Sequence, residues 1–225
     1  MKTAKDLRIP FTWEERRPIV LDRFFYIPGL YAGHEELGPI DWRDWFGNDN
    51  PVYIEYCSGN GQWIGERALQ NPGLNWVAVE KRFDRARKIW LKLHRENIPN
   101  LFVVCGEALL FTRYYPPNES VSQFFVNFPD PWPKLRHAKH RLIQKEFLQA
   151  ASRIVVPKGK ATFVTDDWPY AEQMLAELKS CPEWQPLLPD PFYSREWSDY
   201  GSSFFAELWK EKGRSFHFIP FEKAL

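Results

Sequence analysis

The sequence has few of the features that stabilise secreted or membrane proteins. Its three cysteines are far apart and include no CxxC pair, which argues against both a disulfide framework and a zinc site. The first residues contain no apolar core of a signal peptide, and no stretch approaches the length of a membrane span. These absences lead us to expect a cytoplasmic protein with no metal and no membrane partner.

An excess of charge of one sign is also missing, because the formal net charge at pH 7 is only +1. A chain so close to neutrality is not a generic binder of polyanions. The cations are nevertheless concentrated in two runs. Residues 81–95 hold seven Lys and Arg against one acid, and residues 131–145 hold five, with two His and no acid. Two basic faces favour a directed anionic partner, and solvated helix faces are the alternative interpretation of each run.

The length of 225 residues is typical of one domain with a full hydrophobic core. Residues 1–50 are punctuated by prolines and show weak periodicity, so we interpret them as an N-terminal extension packed on the main domain. The pattern becomes regular at residue 51. We therefore expect residues 51–225 to form the main domain.

Short apolar runs alternate with amphipathic runs through this main domain. The predicted strands are 52–57, 75–80, 101–106, 121–128 and 160–166, with two further candidates near 184–188 and 202–209. The predicted helices are 62–70, 83–96, a short one from residue 107, 140–156 and 169–180. This alternation predicts α/β architecture with an open, doubly wound, mostly parallel sheet.

Acidic residues stand at the ends of the first three predicted strands. Glu55 precedes a turn that contains Gly59 and Gly61, Glu80 ends the second strand, and Glu107 follows the third. Ligands of such sheets bind beyond the carboxyl ends of the strands, where an acid accepts hydrogen bonds from ribose hydroxyls. Neither GxGxxG nor GxxxxGK[ST] is present, so no phosphate cradle is predicted. A cationic sugar–adenine cofactor without phosphates suits this set, and S-adenosylmethionine has that description. The alternative is three ordinary rim carboxylates.

The fourth predicted strand leads into NFPDPWPKLRHAKHR, residues 127–141. Prolines at 129, 131 and 133 fix φ and remove donors, so Asp130 and Trp132 are presented on a stiff loop. A carboxylate can accept two parallel hydrogen bonds from the Watson–Crick edge of guanine, whereas Trp132 either stacks on a base or pins the loop to the core. The cations that follow suit the phosphates flanking such a base. They are Lys134, Arg136, His137, Lys139, His140 and Arg141.

FPDPWPKLRHAKHR (128–141), together with TDDWPYAEQML (165–175), resembles the bacterial tRNA (guanine-N7-)-methyltransferase family over roughly residues 51 to 210. The resemblance implies a Rossmann-like class I methyltransferase fold. It also implies transfer of a methyl group from S-adenosylmethionine to N7 of a guanosine in the variable loop of tRNA, with S-adenosylhomocysteine as the product.

The resemblance also implies roles for individual residues. Glu55, Glu80 and Glu107 match cofactor-binding positions. The turn between strand and helix leads us to predict that Gly59 and Gly61 bind the cofactor as well. Asp130 matches the proposed catalytic or cofactor-side acid. Lys134 and Asp166 match substrate-contacting positions. We also predict substrate contacts at Arg136, His137 and Lys139, from the basic run, and at Ser194 and Arg195, which stand where a late segment of the family has no clean equivalent. The chain departs from the family pattern at Cys57 and Ser58, where the turn usually begins with glycine, and at Glu107, which is usually Asp or Asn.

Three alternatives remain open at the level of sequence. An amino-group methyltransferase would carry an Asn-Pro-Pro-aromatic loop at the fourth strand, which residues 127–130 resemble only in layout. A noncatalytic tRNA-binding protein would have a degenerate cofactor site. A dinucleotide oxidoreductase is disfavoured because the pyrophosphate fingerprint is absent. The oligomeric state, monomer or homodimer, is open as well.

Overall fold

A computed structural model describes residues 2–8, 16–200, 213 and 215–225. The chain divides into two compact units, Met1–Pro117 and Asn118–Leu225. The boundary lies between the third and fourth strands predicted for the main domain. The first unit therefore contains the predicted extension together with the first three of those strands.

Four parallel strands and one antiparallel strand form the sheet of the first unit. Its strands are β1 (Ile19–Leu21), β2 (Phe24–Tyr26), β3 (Val52–Tyr56), β4 (Asn75–Glu80) and β5 (Leu101–Cys105). Its helices are α1 (Trp42–Phe46), α2 (Gln62–Gln70), α3 (Phe83–Arg95) and α4 (Ala108–Tyr114), with a 3-10 turn at His34–Leu37. The strand order is β1-β2-β5-β4-β3, in which only β1 is antiparallel to its neighbour.

The sequence pattern explains why these segments fold as they do. Every residue of β4 and β5 is buried, as expected for parallel strands covered on both faces. Helix α3 buries Ala86, Ile89, Trp90 and Leu93 at helical spacing and turns most of its cations outward. The predictions for β3, α2, β4, α3 and β5 are confirmed to within a residue at each end.

The N-terminal segment differs from the irregular extension that its weak periodicity suggested. Residues 19–26 form the β1–β2 hairpin, and β2 adds to β5 in parallel through the pairing of Phe24 with Val103. All three residues of β2 are buried. A strand of three buried residues has no alternation, so a sequence pattern cannot distinguish it from an aromatic pair in a loop.

The second unit holds a mixed four-stranded sheet. Its strands are β6 (Val121–Asn127), β7 (Val155–Thr165), β8 (Trp184–Pro186) and β9 (His217–Lys223), in the order β6-β7-β9-β8. Its helices are α5 (Lys145–Ile154) and α6 (Trp168–Lys179), with 3-10 turns at Leu135–His140 and Ser198–Tyr200. Strands β6 and β7 are parallel, whereas β9 is antiparallel to both β7 and β8.

Three features of the second unit depart from the sequence prediction. The helix predicted over 140–156 spans only Lys145–Ile154, because the 3-10 turn ends at His140, residues 141–144 are not helical and β7 already begins at Val155 instead of at the predicted residue 160. Strand β9 was not predicted, since Pro220 lies inside it and proline normally excludes a central strand. The strand predicted near 202–209 lies outside the described residues.

Candidate functional site

The turn after β3 has the backbone conformation that its glycines predict. Gly59 and Gly61 have φ values of 56° and 70°, and Cys57 also has a positive φ of 62°. The amide of Gly61 donates to the carbonyl of Ser58 at 2.8 Å, which closes the turn. The side of Gly59 that a Cβ would occupy is open, whereas a Cβ on Gly61 would lie 2.7 Å from Ile89 Cγ1. A ligand can therefore approach the backbone at Gly59, and Gly61 allows α2 to pack closely on α3.

The carboxylate of Glu80 organises this turn. Glu80 is only 6% exposed, and its Oε2 accepts a hydrogen bond from the Gly59 amide at 2.9 Å. Its Oε1 accepts from the amide of Arg82 at 2.8 Å, at the beginning of α3. A carboxylate oxygen has two lone pairs and can accept more than one hydrogen bond. Glu80 is therefore a preorganised acceptor at the end of β4.

Glu55 and Glu107 differ greatly in exposure. Glu55, in β3, is 2% exposed. Glu107 precedes α4 with a side chain that is 48% exposed, and Lys81 Nζ lies 2.8 Å from its Oε1. Because β3, β4 and β5 are parallel neighbours, their carboxyl ends bring all three acids and the glycine turn to one edge of the sheet. The structure thus brings together five of the six residues predicted to bind the cofactor, whereas the sixth, Asp130, belongs to the second unit.

In the second unit, β6 ends in the proline-rich loop. The amide of Phe128 donates to the carbonyl of Val164 at 2.9 Å, and the chain then turns away with a φ of 47° at Phe128 and 44° at Trp132. Positive φ is rare in aromatic residues and persists only where neighbouring contacts impose it. Asp130 lies between these two strained positions and is exposed. The loop therefore presents its carboxylate to solvent from a constrained backbone.

The cations after this loop are mostly exposed. Lys134, Arg136 and Lys139 are exposed and His137 is half-buried, all in or beside the 3-10 turn Leu135–His140. Trp132 is 38% exposed, and its ring contacts His137 and His140 at centroid distances of 5.8 and 5.4 Å. These four residues, which were predicted to contact phosphate, therefore share one accessible segment.

Arg141 departs from the expectation that it belongs with the phosphate-facing cations. It is only 8% exposed and donates through Nε to the carbonyl of Pro131 at 2.7 Å. Its guanidinium also lies over the ring of Tyr170, 4.8 Å from the centroid. The side chain of Arg141 thus turns inward, away from the position expected of a phosphate contact, and its phosphate role has no support in this structure. Spacing within a basic run cannot reveal such a turn.

The two aspartates after β7 have different roles. Asp167 caps α6, since its side chain accepts from the amide of Tyr170 at 2.8 Å. Asp166 has no part in this cap. The assignment of Asp166 to substrate contact remains a prediction, and the cap explains why a second aspartate follows it.

Ser194 and Arg195 reach the same part of the second unit. Ser194 exchanges two backbone hydrogen bonds of 2.9 Å with Phe218, which pairs with Val164 next to the end of β7. Arg195 is exposed, with its guanidinium 5.8 Å from the ring centroid of Tyr193. The structure therefore brings these two predicted contacts near Asp166, although they are about thirty residues away in sequence.

Sequence reasoning missed an aromatic group in this neighbourhood. Trp168, Tyr193 and His217 lie with centroids 4.9 to 5.5 Å apart, and Trp168 is 39% exposed. Burial lowers the pKa of His217, against a hydrogen bond to the Thr165 carbonyl that raises it. A pocket of about 340 Å³ beside this group is lined by Trp168, Tyr193, Glu172, Lys179 and Asp190. The only signal in the sequence was the position of Trp168 directly after the two aspartates.

Two kinds of feature are absent from the part of the chain that the structure describes. None of its helices combines the length and the hydropathy of a membrane span. Its His, Cys, Asp and Glu side chains include no group of three or more that could hold a metal ion.

Comparison with known proteins identifies a family and several relatives. Residues 49–214 match a family model described as a putative methyltransferase. A tRNA (guanine-N(7)-)-methyltransferase of Chlamydia caviae is 44% identical over 97% of this chain and 97% of its own length. A protein of the same name from Geobacter metallireducens is 32% identical over 86% of this chain and 92% of its own length.

Solved structures of low sequence identity share the fold. The 16S rRNA methyltransferase KamB is 16% identical with a TM-score of 0.60, covering 82% of this chain and 93% of its own. A geranyl diphosphate C-methyltransferase of Streptomyces coelicolor, described in complex with S-adenosyl-L-homocysteine, has a TM-score of 0.52 at 11% identity over 80% of this chain and 77% of its own. These likenesses confirm the predicted Rossmann-like α/β fold of class I methyltransferases.

Proposed function

Because the chain belongs to the tRNA (guanine-N7)-methyltransferase family, we propose that it methylates N7 of a guanosine in the variable loop of tRNA. The observation that supports this most strongly is the 44% identity to a relative of that name over 97% of both chains. The chemistry of the two groups of predicted site residues agrees with it. One offers acceptors for a nucleoside, and the other offers a carboxylate followed by cations.

S-adenosylmethionine fits the acceptors at the edge of the first unit. Glu80 has lone pairs for ribose hydroxyls, and the open side of Gly59 leaves its backbone accessible. Glu55 and Glu107 are proposed to place two further acidic groups near the sulfonium cation, of which Glu107 is paired with Lys81. When bound, this cofactor supplies an electrophilic methyl group. The residues proposed to hold it are Glu55, Gly59, Gly61, Glu80 and Glu107, with Asp130 as a further contact.

Asp130 is proposed to bind the acceptor guanine. Its carboxylate can accept from the ring N–H and the exocyclic amine of the base, a pair of donors that no other base offers in this arrangement. Guanine N7 carries an in-plane lone pair and no proton, so the reaction needs no general base. Orientation of the acceptor is then the main task of the protein, and it can contribute about 7–11 kcal/mol.

The same carboxylate is expected to stabilise the positive charge that develops on the guanine during the reaction. Methylation at N7 makes the purine cationic and its ring N–H more acidic. A carboxylate on that edge therefore binds the developing cation more strongly than the neutral base, which lowers the barrier. The loop prolines limit the entropy that Asp130 loses when it makes these bonds.

The tRNA backbone is proposed to bind the exposed cations that follow the loop. Lys134, Arg136, His137 and Lys139 would contact phosphates, while Asp166, Ser194 and Arg195 would contact the acceptor region. N7 lies on the major-groove edge of the base in a folded tRNA. The base must therefore be unstacked or splayed locally to be methylated.

Incubation of the protein with labelled S-adenosylmethionine and unmodified tRNA, followed by nucleoside analysis, tests this function. The expected product is 7-methylguanosine in the variable loop, located by fragment mapping. Label in 7-methylguanosine at another position would contradict the variable-loop assignment alone. Label in a base amino group would favour the amino-group alternative. Absence of S-adenosylmethionine binding in calorimetry would favour the noncatalytic alternative.

A further inference from the structure

Arg141 occupies an unusual place for a cation in a basic run. Its neighbours Lys139 and His140 are exposed, but Arg141 is 8% exposed and its side chain turns under the proline-rich loop. There its Nε donates a hydrogen bond of 2.7 Å to the carbonyl of Pro131, the residue directly after Asp130.

The other side of the guanidinium contacts helix α6. Its centre lies 4.8 Å from the ring centroid of Tyr170, and Nη1 donates to the side-chain carbonyl of Gln173. Tyr170 in turn accepts a hydrogen bond of 3.1 Å from the amide of Ile143. Arg141 thus links helix α6 of the second unit to the loop that carries Asp130.

The loop needs such a contact because its prolines fix only one of the two backbone dihedral angles at each proline. The pyrrolidine ring of proline locks φ but does not lock ψ. Rotation about ψ of Pro131 would turn its carbonyl and change the direction of the following peptide. A hydrogen bond to that carbonyl removes this freedom. The positive φ values of Phe128 and Trp132 also need contacts to maintain them.

We propose that Arg141 is a positioning residue that fixes Pro131 and thereby holds Asp130 in its productive orientation. This inference rests on the proposed function, in which Asp130 binds the guanine. Arg141 contacts neither substrate nor cofactor in this proposal. Its three contacts are a carbonyl, an amide and an aromatic ring, and only a planar guanidinium makes all three at once. A lysine side chain keeps the positive charge but has neither the planar set of N–H donors of the guanidinium nor a flat face that packs on the aromatic ring.

The test compares Arg141→Lys and Arg141→Met with Arg136→Met, an exposed arginine of the same segment. Both Arg141 variants are expected to lower kcat by about 10- to 100-fold, the loss typical of a displaced catalytic geometry. Their Kd for tRNA and its salt dependence should stay near those of the wild type. Arg136→Met should instead weaken tRNA binding and reduce the salt slope by about 1.

Hydrogen exchange provides a readout that does not depend on activity. Amides of residues 128–141 should exchange faster in both Arg141 variants, measured by mass spectrometry on protein shown to be folded by circular dichroism. Gln173→Met, which removes one partner and leaves Arg141 in place, should produce a smaller change in the same direction. It also keeps the test valid if Arg141→Met does not fold.

The outcomes separate this inference from the proposed function. Wild-type kcat in Arg141→Lys, or unchanged exchange in the loop of a folded variant, would overturn the positioning role. A reduced dependence of tRNA affinity on salt concentration in Arg141→Met would show that Arg141 contacts phosphate, and it would also overturn the positioning role. If the wild-type protein makes no 7-methylguanosine, the proposed function fails, while the exchange data still decide whether Arg141 holds the loop.

Discussion

At the scale of single residues, Asp130→Asn separates binding of the base from stabilisation of charge. Asparagine keeps the size of the side chain but loses the negative charge and one acceptor for the guanine edge. We expect kcat to fall by about 10²–10³-fold, the usual loss when an electrostatic contact to a transition state is removed. The Kd for S-adenosylmethionine, measured by calorimetry, should change much less than kcat, because five other residues are proposed to hold the cofactor. Normal tRNA methylation by Asp130→Asn would refute the proposed role.

The adjacent aspartates after β7 offer a matched pair of variants. Asp167→Ala removes the cap of α6 and should cost about 1 kcal/mol of unfolding free energy in urea denaturation. Asp166→Ala leaves this cap intact and should lower the rate of tRNA methylation more than Asp167→Ala does. The reverse assignment, with Asp167→Ala impairing the reaction at wild-type stability, would show that the two roles had been exchanged.

At the scale of elements, the basic segment is expected to act as one electrostatic unit. Replacing Lys134, Arg136 and Lys139 together with Ala should reduce the slope of log K for tRNA against log salt by about 0.7–0.9 for each phosphate that is no longer neutralised. Filter binding at several salt concentrations measures that slope. Lys158→Ala is the control, because Lys158 is paired with Glu222 on another element. An unchanged slope in the triple variant would exclude this segment as the tRNA-binding surface.

Elements differ in how far the sequence predicted them, for physical reasons. Strands β4 and β5 and helices α2 and α3 were predicted closely because long buried runs and helical spacing leave few alternatives. The β1–β2 hairpin and β9 were missed because three-residue strands and an internal proline hide the usual signals. At the site, the parallel topology predicted from the sequence was enough to place the acidic residues and the glycine turn at the carboxyl ends of the strands. The inward turn of Arg141 depends on packing with α6, which no spacing within residues 127–141 expresses.

At the scale of the whole molecule, three histidines, two of them buried and one half-buried, predict a decrease of stability in mild acid. Burial lowers the pKa of His34, His94 and His217 below the usual histidine value. The unfolded chain then takes up these protons at about pH 6.5, before the folded protein does. The free energy of unfolding should therefore be nearly constant from pH 8 to 7 and fall as the pH decreases from about 6.5.

Urea denaturation at pH 8, 7, 6 and 5 measures this dependence. His217→Gln removes one of the three groups and should make the decrease below pH 6.5 shallower. A free energy of unfolding that rises on acidification through this range would contradict the neutral state assigned to these histidines. Glu96 and Glu183, whose pKa values are lowered, reduce stability on protonation only at lower pH.

The position of β9 between β7 and β8 has a consequence for synthesis of the chain. Both β7 and β8 leave the ribosome before β9 does, yet β9 lies between them and forms hydrogen bonds with both. In a nascent chain that has not yet reached His217, the edge of β7 is therefore exposed, and the backbone N–H and C=O groups that later bond to β9 have no strand partner. Such an edge invites pairing with other chains. A delay in translation just before β9 would prolong that exposure and favour aggregation during synthesis.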